Sequence, residues 1–316
     1  MRDIKVSAPA RLHLGFIDLN GSLGRKYGSI GLAVDQPATV LTIREATKFE
    51  AKGLEARRAE ATLRRFSDLY AHGRPYAVDI TEAIPAHAGL GSGTQLALAI
   101  GAAVLELSGT NVSTQSLGEV VERGARSAIG ITAFDRGGFI VDGGRGGSSH
   151  APPTVVRLDF PPEWRAILVL DPRDVGVHGD KESAAFTALP DFPEALSGHL
   201  CRLTLMRLLP GIVEKDIAAF GSALSEIQSI VGKHFSAAQG GESWSSPAVG
   251  RIVRRLGEAG ATGLGQSSWG PTGFAFVQSE AAAHRLYSSL VEEAKANALD
   301  LKIVQGRNTG AVIGPA

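Results

Sequence analysis

The chain has 316 residues, 44% of them hydrophobic, so it can bury a substantial core and lacks the composition of a disordered segment. Lys+Arg and Asp+Glu both number 32, which excludes a broadly basic nucleic-acid surface while leaving room for a local phosphate pocket. Cys201 is the single cysteine, so no internal disulfide and no cysteine metal cluster can form. The start MRDIKVSAPARL reads as a strand and not a signal peptide, and no apolar run reaches about 18 residues. These features point to a cytoplasmic protein that binds no nucleic acid and enters no membrane.

In chain order, residues 4–19 read as a strand running to a turn at Gly15. Residues 20–31 are glycine-rich and carry Arg25 and Lys26. Residues 30–46 read as one or two strands with β-branched Val40, Thr42 and Ile43, and residues 47–66 as an exposed, charged helix. A strand over Tyr76–Thr81 leads into Pro85-Ala86-His87-Ala88-Gly89-Leu90-Gly91-Ser92-Gly93-Thr94-Gln95 and then the run Leu96–Leu105, a helix apolar almost all round and therefore buried. Ser113–Arg126 has helical amphipathicity, and Gly130–Gly147 is glycine-dense around a strand at Gly138–Val141. Proline-rich passages at 151–153 and 160–162 suggest a boundary near residue 160, dividing the chain into 1–160 and 161–316. Beyond it come a strand at Ala166–Leu170, helices near 195–209, 212–233 and 247–259, a loop at Gly263–Gly273, a strand at Phe274–Gln278, a helix at Glu280–Ala296 and strands at 301–304 and 311–313. The mixture argues α+β.

The loop Pro85–Gln95 carries the chemistry. The start of a buried helix leaves backbone N–H groups without intrahelical partners. An anion there accepts those groups and meets the positive end of the helix dipole. Gly89, Gly91 and Gly93 permit close approach, while Ser92 and Thr94 add hydroxyls. The spacing is neither a Walker A loop nor a dinucleotide fingerprint. A pyrophosphate or triphosphate is the expected guest; a glycine turn that merely packs a helix is the alternative.

Three segments resemble the motifs of the GHMP superfamily, named for galactokinase, homoserine kinase, mevalonate kinase and phosphomevalonate kinase. They are Pro9-Ala10-Arg11-Leu12-His13-Leu14-Gly15, Ile84–Thr94 and Gly263–Gly273. Within that superfamily the chain is similar to the β-ribofuranosylaminobenzene 5′-phosphate synthase family. The marks are His87, Thr94-Gln95, Ala133–Gly144, Gln239-Gly240-Gly241, Gln266-Ser267-Ser268-Trp269-Gly270-Pro271 and Asn308-Thr309-Gly310-Ala311.

The resemblance implies a two-domain GHMP fold, with an N-terminal half like domain 2 of ribosomal protein S5 and a ferredoxin-like C-terminal half. It also implies condensation of 5-phosphoribosyl 1-pyrophosphate with 4-aminobenzoate or 4-hydroxybenzoate, releasing carbon dioxide and pyrophosphate, in methanopterin biosynthesis. An ATP-dependent small-molecule kinase and an inactive nucleotide sensor are the competing readings. A magnesium ion and a homodimer are expected from the same resemblance.

Residue by residue, Asp135 is the candidate to hold magnesium or stabilise charge at the ribose, or else it caps a turn. Ser92 is the candidate ligand of magnesium or pyrophosphate, or a helix cap, and His87 a donor to phosphate. Gly89, Leu90, Gly91, Gly93, Thr94 and Gln95 line the phosphate. Gln266, Ser267 and Ser268 offer donors, and Trp269 a stacking surface for the aryl acid. Arg11 and Arg136 serve the phosphates, with Arg25 and Lys26 as further candidates, and Asn308 closes the substrate set. Glu182 is a weaker candidate.

Overall fold

The computed structural model describes residues 2–121, 126–147, 151–174, 176, 187–239 and 241–316. Glu182 and Gly240 lie outside them, as does part of the segment expected to be helical over Ser113–Arg126.

Two long strands, β1 (Ile4–Asp18) and β2 (Tyr27–Glu45), form the antiparallel spine of the first sheet. β3 (Glu50–Gly53) lies parallel to β4 (Tyr76–Glu82), and the order β11-β1-β2-β4-β3 is extended by β5 (Phe139–Asp142) and β6 (Thr154–Leu158) alongside β2. The segment expected as one helix from 47 to 66 is therefore a short strand followed by α1 (Ala56–Tyr70). Edge pairing with β4 overrides the charged, helix-favouring composition, with Glu50 through Gly53 in register with Ala77 through Ile80.

α2 (Ser92–Ser108) packs on this sheet with α1. Its residues from Gln95 to Leu105 are almost all buried, as its uniform hydrophobicity requires. α3 (Thr114–Val120) and α4 (Ile129–Arg136) complete the layer.

The second sheet has the order β10-β7-β9-β8, all antiparallel, built from β7 (Arg165–Leu170), β8 (Thr262–Gln266), β9 (Thr272–Val277) and β10 (Asp300–Gln305). Helices Ile217–Phe235, Pro247–Glu258 and Glu280–Ala296 flank it. With helices between β7 and β8 and between β9 and β10, this is the ferredoxin-like arrangement. The expected loop over Gly263–Gly273 is shorter than its glycines suggest, because β8 and β9 take both of its ends.

One core continues through both halves. Leu12, Phe16, Ile30 and Phe139 of the first sheet join Phe160, Trp164, Phe220 and Phe276 of the second. The last strand, β11 (Val312–Pro315), returns to the first sheet and pairs with Ile4–Ser7 of β1.

Candidate functional site

The first motif is part of β1, the second opens α2, and the third is the turn between β8 and β9. All three meet. Arg11 donates its N–H to the Leu90 carbonyl at 3.1 Å, and its guanidinium donates to the Gly89 carbonyl. A Cβ at Gly91 would stand 3.2 Å from the Arg11 stem. Gly89 in turn rests on Ser267 and Gly270, so close that a Cβ there would stand 2.2 Å from the Ser267 carbonyl oxygen. Glycine is required at 89 by its contacts and by a φ of 81°, and at 91 chiefly by a φ of 83°, with the Arg11 stem adding a tight contact.

The consequence for the loop's N–H groups is specific. Thr94 and Gln95 both donate to the Gly91 carbonyl at 3.0 Å. Among the described residues, the N–H groups of Gly89, Leu90, Gly91, Ser92 and Gly93 have no protein acceptor. Gly91 occupies the N-cap position and has no side chain to close the helix end, and the half-buried Ser92 hydroxyl forms no hydrogen bond within the protein among the described residues. A helix terminus held in this state is built for an anion. His87 stands exposed at its edge, with φ 56°, and its carbonyl accepts the Gly176 N–H at 3.2 Å.

Beside the third motif lies a cavity of about 500 Å³. Phe16, Phe235, Trp244 and Trp269 give it an aromatic wall, with His13 and Gln228 among its polar groups. Trp269 is buried and its ring lies 4.6 Å from that of Phe235. A register shift between His13 and Gly15 bends β1 at this point, and Gln228 fastens the bend by donating to the Leu14 carbonyl at 2.8 Å while accepting the Gln266 N–H at 2.9 Å. Burial, and next the charge of Arg11, lowers the His13 pKa to about 3, so its imidazole is neutral at physiological pH.

Several expected substrate ligands have other roles. Ser267 is fully buried, donates to the Gly89 carbonyl at 2.8 Å and accepts the His13 N–H at 3.0 Å, so it joins all three motifs instead of facing a ligand. Gln266 holds Ser245 through its Oε1 and the Ser268 carbonyl through its Nε2. Gln95 is fully buried and donates to the Gly130 carbonyl at 2.8 Å, tying α2 to α4. Thr94 packs against Gly130 from the loop side. Asn308 makes a two-way pair with the Phe160 backbone, at 2.7 and 2.9 Å, and acts as a structural clamp. Ser268 lines the cavity with a φ of 57°.

Asp135 and Arg136 are not brought to the loop. α4 places Gly130 against Thr94, but Asp135 lies about 7–8 Å further along its axis. There its half-exposed carboxylate accepts from the Thr114 hydroxyl at 3.2 Å and lies 3.9 Å from Arg136. The expected pairing of Asp135 with Ser92 as magnesium ligands is thereby corrected. Among the described residues no group of three His, Cys, Asp or Glu side chains could hold a metal ion. Ser92 alone is a poor donor set for magnesium, which binds proteins chiefly through carboxylates.

The residues that sequence reasoning missed are His13, Phe16, Gln228, Phe235 and Trp244. His13 carried one signal, a polar side chain between the apolar Leu12 and Leu14 in a motif already singled out. Phe16 comes from the first strand, and the others lie in or just beyond a segment that reads as an ordinary packed helix.

Comparison with known proteins agrees with this geometry. Residues 56–139 match the GHMP kinases N terminal domain, and residues 208–296 the GHMP kinases C terminal domain. Among solved structures, homoserine kinase from Cytophaga hutchinsonii superposes with a TM-score of 0.70 at 18% identity, over 99% of this chain and 98% of that one. Mevalonate diphosphate decarboxylase from Staphylococcus aureus gives 0.67 at 16%, over 99% and 98%. The chain belongs to the GHMP family. Within it, the β-ribofuranosylphenol 5′-phosphate synthase of Archaeoglobus fulgidus is 35% identical over 292 residues, 88% of this chain and 89% of that protein. The enzyme of the same name from Methanothermobacter thermautotrophicus is 33% identical, over 85% and 87%. No helix among the described residues is long and apolar enough to cross a membrane.

Proposed function

We propose that this protein is an aryl C-riboside 5′-phosphate synthase of methanopterin biosynthesis. It joins C1 of 5-phosphoribosyl 1-pyrophosphate to the ring carbon that bears the carboxylate of 4-hydroxybenzoate or 4-aminobenzoate. The C1–O bond to pyrophosphate breaks, the new C–C bond forms, and the ring expels carbon dioxide as it regains aromaticity. The relatives carry phenol in their names, which favours 4-hydroxybenzoate; the family resemblance also allows the amino acid analogue.

The observation that carries this reading is the row of five N–H groups, Gly89 to Gly93, without protein acceptors among the described residues, on a loop that rests against Ser267 and Gly270, whose neighbours Ser268 and Trp269 line an aromatic-walled cavity. The row stabilises charge that builds on departing pyrophosphate, in a position fixed by Arg11 and Ser267 before the substrate arrives. The aromatic wall of Phe16, Phe235 and Trp269 accommodates a benzoate ring and keeps water from the oxocarbenium-like C1. Neutral His13 leaves that end of the cavity without an imidazolium charge to pair with the carboxylate that must leave. Magnesium enters this reading as the counter-ion of the pyrophosphate, and no step is assigned to a protein-held ion. A cytoplasmic homodimer is part of the same proposal.

The test is release of labelled carbon dioxide from carboxyl-labelled 4-hydroxybenzoate and 4-aminobenzoate, each supplied with 5-phosphoribosyl 1-pyrophosphate, with ATP and candidate alcohols in parallel. Carbon dioxide with either acid supports the synthase; ADP without carbon dioxide establishes a kinase in its place.

A further inference from the structure

A second cavity, of about 590 Å³, adjoins the aromatic one. Among the described residues its lining brings together Lys26, Arg126, Arg145 and His234, with Tyr27 and the carboxylate of Asp191. Lys26 and Arg145 stand directly opposite each other in an isolated antiparallel bridge, each N–H donating to the other's carbonyl at 2.9 and 2.8 Å. Such partners lie about 5.5 Å apart at Cα, and like charges placed so are mutually destabilising. Neither has an ion-pair partner among the described residues. Arg25 reinforces the arrangement without neutralising it, since it donates to the carbonyls of Gly143 and Gly144 at 2.7 Å. Tyr27, between Lys26 and the aromatic cavity, has a φ of 81°, a conformation that bulky side chains rarely adopt and that clusters at ligand sites. Burial, and next the Lys26 charge, lowers the His234 pKa.

Cations held together by the backbone, against their own repulsion, gain when an anion joins them. A phosphate monoester supplies two negative charges and three acceptor oxygens, the right complement for a lysine and arginines. The two cavities also share a wall. Phe16 lines the first and its ring lies 6.0 Å from that of Tyr27, which lines the second. Phe235 of the first lies 5.6 Å from His234 of the second. A pentose with an aromatic ring on C1 and a phosphate on C5 has two ends suited to these two compartments.

We propose that the cavity bounded by Lys26, Arg126 and Arg145 binds the 5-phosphate of the ribose. The assignment of a sugar phosphate rests on the function proposed above; the anion site itself rests on the bridge and its charges. The molecule then handles its two phosphate groups by different means. Backbone N–H groups receive the pyrophosphate that leaves, and side-chain cations retain the phosphate that stays.

The test is calorimetric titration of the full chain with ribose 5-phosphate, ribose, inorganic phosphate and pyrophosphate. It is run on the wild type, on a Lys26→Gln/Arg145→Gln double variant and on Gly91→Val. The expected result is that ribose 5-phosphate binding falls about 100-fold in the double variant, roughly tenfold for each lost charged contact, with pyrophosphate binding unchanged. Gly91→Val should show the converse. Both changed cations are exposed, so the double variant should melt with the wild type.

The proposal is overturned if the wild type fails to bind ribose 5-phosphate, or if the double variant binds it as well as the wild type does. It is also overturned if ribose, or inorganic phosphate, binds the wild type as tightly as ribose 5-phosphate. Binding that depends on both cations, in an enzyme that releases no carbon dioxide, would defeat the reaction and leave this site standing. Carbon dioxide release with binding indifferent to both cations would do the reverse.

Discussion

Two glycine-rich loops touch at this site, and they use their atoms in opposite ways. In Gly89–Gly93 the backbone N–H groups are without protein acceptors among the described residues, and the side chains other than that of Leu90 are small or absent. In Gly265–Gly273 the side chains of Gln266 and Ser267 are hydrogen-bonded to the protein itself, to Ser245, Ser268 and Gly89. On the function proposed above, one loop is a receptor and the other is its buttress. Composition alone does not separate them, because a serine between glycines reads the same whether its hydroxyl faces a ligand or a neighbouring carbonyl.

Substitutions can break that contrast. The largest effect on turnover is expected from Gly91→Val, where the φ of 83° and the Arg11 stem leave no room for a side chain. Displaced N–H donors should cost about 100-fold in turnover, as loss of an oxyanion-type donor does, against about 1–2 kcal/mol of stability. Steady-state rates set beside urea unfolding would separate the two, and equal loss in both would reduce the first loop to another buttress. Ser267→Ala should show the opposite balance. It leaves the His13 N–H without its acceptor in a buried position, at a cost of about 1–3 kcal/mol. A melting temperature equal to the wild type's would refute the buttress role.

His13 sharpens the contrast through pH. Its folded pKa of about 3 lies below the unfolded value near 6.5, so the unfolded chain takes up the proton first. Its contribution is therefore fully retained above pH 6.5 and declines as pH falls toward 3, by about 1.4 kcal/mol per unit. His13→Gln should flatten that acid limb in a series of melting curves, and an unchanged limb would show that His13 is not buried neutral. The smallest effect belongs to Asp135→Asn. Its distance from the loop leaves less than about a twofold change in turnover, and a large loss would return Asp135 to the chemistry.

The glycine loop with its open helix start was legible in the sequence because both follow from local rules. Glycines at alternate positions followed by ten apolar residues specify a buried helix with an open N-terminus, whatever surrounds it. That the three motifs meet is a finding of the structure, carried by the bonds of Arg11 and Ser267. What remained illegible depends on contacts between distant segments. Asp135 reads as catalytic within its motif, but the direction of α4 carries it away from the loop. Asn308 reads as a ligand until Phe160, far off in the chain, is found in its grasp. Gln95, the last residue of the loop segment, faces inward to Gly130, because it already lies in α2, where each residue turns about 100° from the one before. β3 was hidden because an edge strand takes its partner from β4, beyond α1.

The return of β11 to the first sheet sets an order of events during synthesis. Ile4–Ser7 of β1 leave the ribosome long before the strand that completes their edge, Val312–Pro315. Until then that edge presents open hydrogen-bonding groups to any other nascent chain nearby. A chain truncated after Ala311 would keep that edge exposed and should self-associate, with a light-scattering mass that rises with concentration.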